Sequence, residues 1–288
     1  MPRASHKYPT YHARADRDRA KALAETDSPF TLEVRFLGGL TETQQAAFRT
    51  AADQWVRVIV GDLPDILVDG ELVDDVLILA QGKAIDGVGK ILGQAGPSRL
   101  RPSGIGAGSL LPAKGRMTFD SADLASMEQK GTLIDVITHE MGHVLGIGTI
   151  WQDSDLLEGA GTQNPQFTGE GAMAEYGELR GGGGPRPVPV ENTGGPGTAD
   201  SHWRESVFRN ELMTGFVSTA GSPLSRMTVA SLADLGYTVD LDAADPYELP
   251  DLFAIAEAGE LISHIAPIDD GIMLPIIPLV LPKESLPS

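Results

Sequence analysis

The segment between residues 132 and 148 contains the pattern H-E-x-x-H, which constrains the fold of this chain more than any other feature. His139 and His143 stand four residues apart, and Glu140 directly follows the first histidine. On a helix, this spacing places both imidazoles on one face, with about 5–6 Å between their Cβ atoms. Two imidazoles so placed can bind one zinc ion, with the glutamate beside the open coordination position. The alternative is a chance match of two ordinary histidines, a known risk of short motifs.

The residues around this motif predict a helix that begins after Thr132 and ends at Gly146. Apolar residues recur at the spacing of one helix face. They are Leu133, Ile134, Ile137, Met141 and Leu145. Thr132 and Asp135 form a start that resembles a capping box, and Gly146 supplies the stop.

The composition narrows the partners and the metal ligands. The chain has 288 residues, a formal net charge of -18 and no cysteine. Such a negative balance argues against nucleic acid, because phosphates must be neutralised by cations. Without thiolates, any metal must bind to histidines and carboxylates. Acidic loops, such as Asp153 with Asp155 or Asp240 with Asp242, could hold Ca²⁺ through oxygen ligands. The alternative there is an ordinary solvated acidic surface.

A catalytic zinc takes three protein ligands and a water molecule, so a third ligand is needed. Thr149 stands where the compact metzincin pattern, H-E-x-x-H-x-x-G-x-x-H, has its final histidine. His202 is the natural candidate, because His6 and His12 lie in an unpatterned N-terminal segment and His264 lies in the C-terminal tail. His202 as an ordinary loop histidine remains an alternative. A gluzincin-like site is another alternative, with a glutamate as the third ligand. Its candidates are Glu175, Glu178 and Glu191.

The chain resembles the leishmanolysin family of zinc metalloproteases. The matching features are His202-Trp203 after a long insertion, then Glu211-Leu212-Met213 and a helix over residues 225–237. The resemblance extends over roughly residues 29 to 240. It implies an α+β, metzincin-like zincin fold with a mixed twisted sheet, a zinc-binding active-site helix, a Met-turn and a C-terminal helix. The chain departs from the family in having no cysteine, and we also expect no conventional signal peptide.

The resemblance also implies roles for the site residues. The implied zinc ligands are His139, His143 and His202. Glu140 would act as general base in the hydrolysis of peptide bonds, and protein or peptide chains would be the substrates. Gly146 would let the chain turn out of the helix, and Met213 would form a hydrophobic floor beneath the imidazoles. Met213 as plain core filler is the alternative.

Metzincins bind substrate as an added antiparallel strand at a sheet edge, and by position the candidate edge is the strand before the zinc helix. It consists of Gly115, Arg116, Met117, Thr118 and Phe119. A protein that has lost catalysis and acts as a binding or adhesion module is a further alternative. The intact Glu140 argues against it.

The rest of the chain predicts three regions. Residues 1–28 are an N-terminal extension, either mobile or a short pro-segment. Residues 29–245 are the catalytic domain, with an insertion at 149–200, and residues 246–288 are a C-terminal extension. Within the domain, alternation predicts a strand over 30–36 and another over 76–80, with a helix that begins after Thr41 between them.

The sequence also bears on location and assembly. No apolar segment follows the basic residues at the N-terminus, so we expect no conventional signal peptide. A cytoplasmic location and export by a leaderless route remain alternatives. No stretch is long enough for a membrane helix, and we expect a monomer.

Overall fold

The computed structural model describes residues 8–89, 91–195, 197–215, 221–251, 255, 257 and 272–287. The strands among them are β1 (Thr10–Arg14), β2 (Thr31–Phe36), β3 (Ile66–Val68), β4 (Glu71–Val73), β5 (Val76–Lys83), β6 (Ile91–Leu100), β7 (Pro112–Asp120), β8 (Leu157–Glu158), β9 (Gln166–Phe167), β10 (Val188–Pro189), β11 (Ile272–Pro275) and β12 (Leu279–Val280). The helices are α1 (Arg17–Ala24), α2 (Glu42–Val58), α3 (Ser121–Lys130), α4 (Leu133–Val144), α5 (Glu170–Leu179), α6 (Glu205–Phe208) and α7 (Arg226–Leu235). Two short 3₁₀ helices are Leu241–Ala243 and Lys283–Ser285.

The main sheet is mixed, as predicted. Among the described residues its strand order is β1-β2-β5-β7-β6-β11, and β12 also pairs with β6. Strands β2, β5 and β7 run parallel, whereas β1 is antiparallel to β2 and β6 is antiparallel to β7. Parallel neighbours need a crossover, and α2 supplies a helix on the path from β2 to β5. The result is a mixed α/β architecture with helices packed on a sheet.

Helices α2 and α4 pack against each other, and this contact holds α4, the helix that carries the H-E-x-x-H motif, in place. Thr41 and Gln44 form the predicted capping box at the start of α2. Further along α2, the buried indole of Trp55 donates its Nε1 hydrogen to the carbonyl oxygen of Thr138, at 2.9 Å. This bond reaches α4 one residue before His139. The contact with α2 therefore helps to fix the position of the H-E-x-x-H motif.

Helix α4 begins after Thr132, as predicted, but the predicted capping interaction of Thr132 is wrong. Thr132 has helical backbone angles and makes no capping hydrogen bond with its side chain. Asp135 instead accepts a hydrogen bond from the backbone N–H of Gly221, at 2.6 Å. The reason is the preceding helix α3, which the sequence did not predict. It ends at Gly131 in the left-handed conformation, and the chain enters α4 after a single residue.

Part of the predicted N-terminal extension belongs to the sheet. Strand β1 pairs antiparallel with β2, and Asp16 caps α1 by accepting a hydrogen bond from the Arg19 N–H. Arg19 also forms an ion pair with Asp240. Within the predicted extension, residues 10–14 and 17–24 therefore form regular structure that is attached to the sheet, while a role as a pro-segment stays a prediction. Without β1, strand β2 would be an edge strand with unpaired backbone donors and acceptors, and β1 pairs with these groups.

The strand proposed from sequence as the substrate-binding edge is not an edge. Residues 115–119 lie in β7, which is paired on one side with β5 and on the other with β6. The sequence concealed β6 because it lies in a Gly-rich region. Gly93 is needed there, since a Cβ at this position would lie 2.0 Å from the carbonyl oxygen of Thr118. Strand β6, and not β7, lies toward the outer side of the sheet.

The insertion and the C-terminal extension both contain regular structure. In the insertion, β10, β9 and β8 form a small sheet, and α5 packs against α7. In the extension, β11 and β12 run parallel to β6. The amphipathic stretch over residues 252–262 lies outside the described residues, apart from Ile255 and Glu257. No helix in the described ranges is long and apolar enough to cross a membrane.

Candidate metal centre

Three histidines converge in the interior of the protein. His139 and His143 come from α4, and His202 follows the insertion. Their Nε2 atoms lie 3.0 Å apart between His139 and His202, 3.0 Å between His139 and His143, and 2.9 Å between His143 and His202. A tetrahedral zinc with Zn–N distances of about 2.0–2.1 Å separates its nitrogen ligands by about 3.3 Å. The three nitrogens are thus arranged around one common point.

The opposite nitrogen of each ring is held by a backbone carbonyl. The Nδ1 atom of His139 lies 2.7 Å from the Leu212 oxygen, and that of His143 lies 2.8 Å from the Ile147 oxygen. The Nδ1 atom of His202 lies 3.0 Å from the Thr198 oxygen. A carbonyl only accepts, so each Nδ1 carries the proton and each Nε2 presents a lone pair. This tautomer is the one that a metal needs.

Burial keeps the imidazoles neutral. It lowers the pKa of His139 to about 3, with a contribution from the neighbouring His143, and lowers the pKa of His143 to about 4. The pKa of His202 also lies well below its ordinary value, because of burial and the two other histidines. Neutral rings at physiological pH fit a dication and not a proton. The donor set therefore suits zinc, which binds readily to imidazole nitrogen.

Glu140 is buried on the same helix and lines the same cavity as His143 and His202. Burial raises the pKa of its carboxyl group to about 8. A cation bound to the histidines would act against this shift, because a nearby positive charge favours the carboxylate. The cavity has a volume of about 280 Å³, and the lining also includes residues 273–276 of the C-terminal extension.

Small residues allow the elements of the site to approach closely. A Cβ on Gly142, between the two histidines of α4, would lie 2.8 Å from Sδ of Met213 and 2.9 Å from Cζ2 of Trp55. Gly146 has a φ of +111° and turns the chain out of the helix, as predicted. At Gly148 a Cβ would lie 1.9 Å from the Ser201 oxygen, so the chain returns to within backbone contact just before His202.

A buried glutamate organises the segment below the histidines. The Glu211 carboxylate accepts hydrogen bonds from the Met213 N–H at 2.6 Å and the Ser225 hydroxyl at 2.7 Å, and also from the Thr228 hydroxyl. The turn thus fixed presents the Leu212 oxygen to His139. From the sequence, Glu211 is recognised only as part of the Glu211-Leu212-Met213 match to the family, with no role of its own. A glutamate beside apolar residues, with hydroxyls at the next helix start, was the signal for this role.

The structure brings together His139, His143 and His202, and it places the other candidates elsewhere. Glu175 forms an ion pair with Arg226, at 3.1 Å. Glu191 accepts hydrogen bonds from the Thr193 hydroxyl at 2.6 Å and the Glu205 N–H at 2.9 Å. Glu178 is exposed. The third member of the cluster is therefore a histidine and not a glutamate.

The calcium expectation finds no support. Among the described residues, the only acidic group that gathers three oxygen donors is Asp62, Asp74 and Asp75. Neither of the predicted pairs belongs to it. Of those pairs, Asp240 is bound to Arg19, and Asp242 lies 3.3 Å from Arg226.

Fold and cluster together define a mixed α/β protein in which two histidines of α4 and His202 form a cluster that could hold a metal ion. Residues 107–248, which contain the whole cluster, match the family model of leishmanolysin. The chain is 32% identical over 147 residues to the leishmanolysin of Leishmania donovani and 30% identical over 142 residues to that of Leishmania major. It is a leishmanolysin-like protein. The alignments include 48% and 46% of this chain but 24% and 23% of the relatives, so it spans about a quarter of their length.

Proposed function

We propose that this chain is a zinc-dependent metalloendopeptidase of the metzincin type. The observation that carries the proposal is the convergence of three Nε2 lone pairs, each fixed by a carbonyl on Nδ1, beside a buried glutamate. His139, His143 and His202 would hold the zinc. When bound, zinc lowers the pKa of a coordinated water and polarises a carbonyl group. The leishmanolysin-like sequence supports peptide bonds as the target.

Glu140 is the residue that moves protons in this proposal. Its carboxylate would take a proton from the attacking water and pass it to the nitrogen of the departing amine. The enclosed position of Glu140 strengthens its interaction with charges nearby, since little water screens them. Met213, buried against Gly142, supports α4 from below and would serve as the residue of a Met-turn.

The outer edge of β6 would bind the substrate backbone. Peptides commonly bind as an added strand at a sheet edge, using main-chain hydrogen bonds. Ala95, in β6, lines the cavity together with Glu140 and His143. An extended peptide on β6 would therefore pass directly by the site. This edge takes the place of the inner strand that the sequence suggested.

Replacement of Glu140 tests the proposal. The Glu140→Gln variant should lose at least about 10²–10⁴-fold in casein hydrolysis, because the general base is gone. Its zinc content should remain that of the wild type, since Glu140 is not among the ligands. Activity and metal content are measured on the same preparations. Near-normal hydrolysis by a fully zinc-loaded variant contradicts the mechanism. A zinc-loaded wild type that hydrolyses neither casein nor gelatin favours the binding-module alternative.

A further inference from the structure

Strand β11 lies in the cleft beside the histidine cluster. It pairs with β6 in parallel, with Leu274 opposite Gln94 and Pro275 opposite Ala95. Residues 273–276 line the cavity that also contains Glu140, His143 and His202. On the other wall, a Cβ on Gly197 would lie 2.9 Å from the Met273 oxygen. The strand is therefore enclosed between β6 and the segment that leads to His202.

We propose that residues 272–276 are a built-in competitor of the substrate, an autoinhibitory strand that occupies the peptide-binding edge of β6. This inference rests on the proposed endopeptidase function. A backbone N–H or C=O group of β6 that is paired with β11 is unavailable to a second extended chain. Substrate binding and the docking of β11 thus exclude each other.

The way β11 is attached suits a segment that can leave. It is only four residues long, its register on β6 shifts between Ile272 and Met273, and Pro275 has no N–H to donate. Beyond it the chain is held more firmly. Leu281 is buried in a small apolar cluster with Ile66, and its N–H donates to the Leu100 oxygen at 2.9 Å. Release of β11 would leave this anchor in place, so the competitor stays close to the cleft.

The direction of β11 also fits a resident segment and not a substrate. It runs parallel to β6, whereas the metzincin resemblance implies an antiparallel substrate. A reversed chain presents its peptide groups to Glu140 in the opposite order. The strand can then occupy the cleft without offering a scissile bond in the productive orientation.

A reversible disulfide tests the competitor directly. The chain has no cysteine, so Gln94→Cys with Leu274→Cys, which are Cα partners, introduces a single cysteine pair. The matched control is Arg99→Cys with Leu279→Cys, which are partners between β6 and β12. Zinc-loaded protein is assayed on casein before and after treatment with a non-thiol reductant. The oxidised first pair should be at least tenfold slower than its reduced form, and the control pair should be equal in both forms. Equal rates in both forms of the first pair overturn the inference.

A second pair of variants asks for the opposite effect without a crosslink. Met273→Asp removes an apolar side chain that packs against the main core and should weaken docking of β11. Ile277→Asp, at a side chain that is 93% exposed, is the control. We expect Met273→Asp to lower KM for a peptide substrate about three- to tenfold, with little change in kcat, while Ile277→Asp behaves as the wild type. An unchanged KM in a folded Met273→Asp protein counts against the competitor.

Binding separates this inference from the proposed function. A fluorescent peptide hydroxamate is titrated into the zinc-loaded cysteine pair, oxidised and reduced, with Glu140→Gln added so that no turnover occurs. At least tenfold weaker binding to the oxidised form supports the competitor, even if no form hydrolyses casein and the endopeptidase assignment fails. Equal hydroxamate binding in both forms, together with wild-type hydrolysis of casein, removes the competitor and leaves the endopeptidase.

Discussion

At the scale of single residues, the histidine after the insertion completes the cluster. His202 contributes one of three Nε2 atoms and is held on its other side by the Thr198 oxygen. Its removal leaves two imidazoles, both from α4. A two-histidine site lacks the tetrahedral donor set that zinc prefers, so affinity depends on replacement ligands from water.

We predict that His202→Ala weakens zinc binding at least about 100-fold, because a direct ligand should matter at least as much as the outer partners of ligands do. His12→Ala is the matched control, since His12 is exposed on β1. Zinc affinity is measured by competition with a chromogenic chelator. If His202→Ala retains zinc as tightly as His12→Ala does, the three-histidine assignment is wrong.

The residues that carry chemistry were the easiest part to predict from sequence. His139 and His143 follow from a spacing of four on a helix. His202 follows because the other three histidines lie in the N-terminal segment and the C-terminal tail. The structure brings these three together, as predicted. Their carbonyl partners could not be predicted, since a backbone oxygen leaves no signal in the side-chain sequence. Glu211 was visible, but its bonds depend on how the segment before α7 folds back.

At the scale of elements, the contact of α4 with α2 and with the segment beneath it depends on a missing side chain. Gly142 faces Met213 and Trp55 at distances that leave no room for a Cβ. In an exposed helix, a change from glycine to alanine stabilises by about 1 kcal/mol. Here the overlap should outweigh that gain.

We predict that Gly142→Ala destabilises the protein by about 1–3 kcal/mol, since overpacking forces the neighbours to shift. The free energy of unfolding is measured by denaturant titration of the zinc-free protein. Adding Met213→Ala to Gly142→Ala should cost less than the sum of the two single changes, because it removes the Sδ and Cε atoms that collide. Strict additivity contradicts the packing account.

The sheet was only partly predictable for a physical reason. Strands β2 and β5 have the apolar, β-branched sequences that favour pleated structure. Strand β6 contains two glycines and a proline, which normally argue against a strand interior. Gly93 allows the close approach of β7, which is a property of the neighbouring strand and not of β6 itself. The sequence pattern therefore places the edge one strand too early, and β11 falls within the predicted C-terminal extension.

At the scale of the whole molecule, a second buried acid links stability to pH. Asp75 directly precedes β5 of the main sheet. Its carboxylate accepts hydrogen bonds from the Leu63 N–H and the Thr31 N–H, both at 2.7 Å. Burial raises its pKa to about 7, despite these bonds and with Asp74 nearby. The unfolded value is about 3.9. The folded state therefore binds a proton more tightly, and this contribution is complete below about pH 4 and is lost as the pH rises through about 7.

We predict that Asp75→Asn removes a slope of about 2–3 kcal/mol in the free energy of unfolding between pH 5 and pH 8. The wild type should lose stability relative to the variant as the pH rises across this interval. Urea titrations of the metal-free proteins at both values provide the comparison. Asp18→Asn, at an exposed position on α1, should leave the slope unchanged. Parallel pH profiles for wild type and Asp75→Asn contradict the assignment.

The carbonyl bonds of the three imidazoles have a consequence for how the protein matures. His139 precedes the carbonyl that holds it, that of Leu212, by 73 positions. During synthesis, His139 therefore leaves the ribosome long before the carbonyl that fixes its ring, whereas the partner of His143, Ile147, follows after only four positions. An incomplete chain would bind zinc only weakly. Tight binding would require the segment from Thr198 to Leu212, which contains His202 and the carbonyl partner of His139, to have folded against α4. Tightly held metal would then mark chains that have finished folding, so a pulse of chelator during refolding should strip only the unfinished ones.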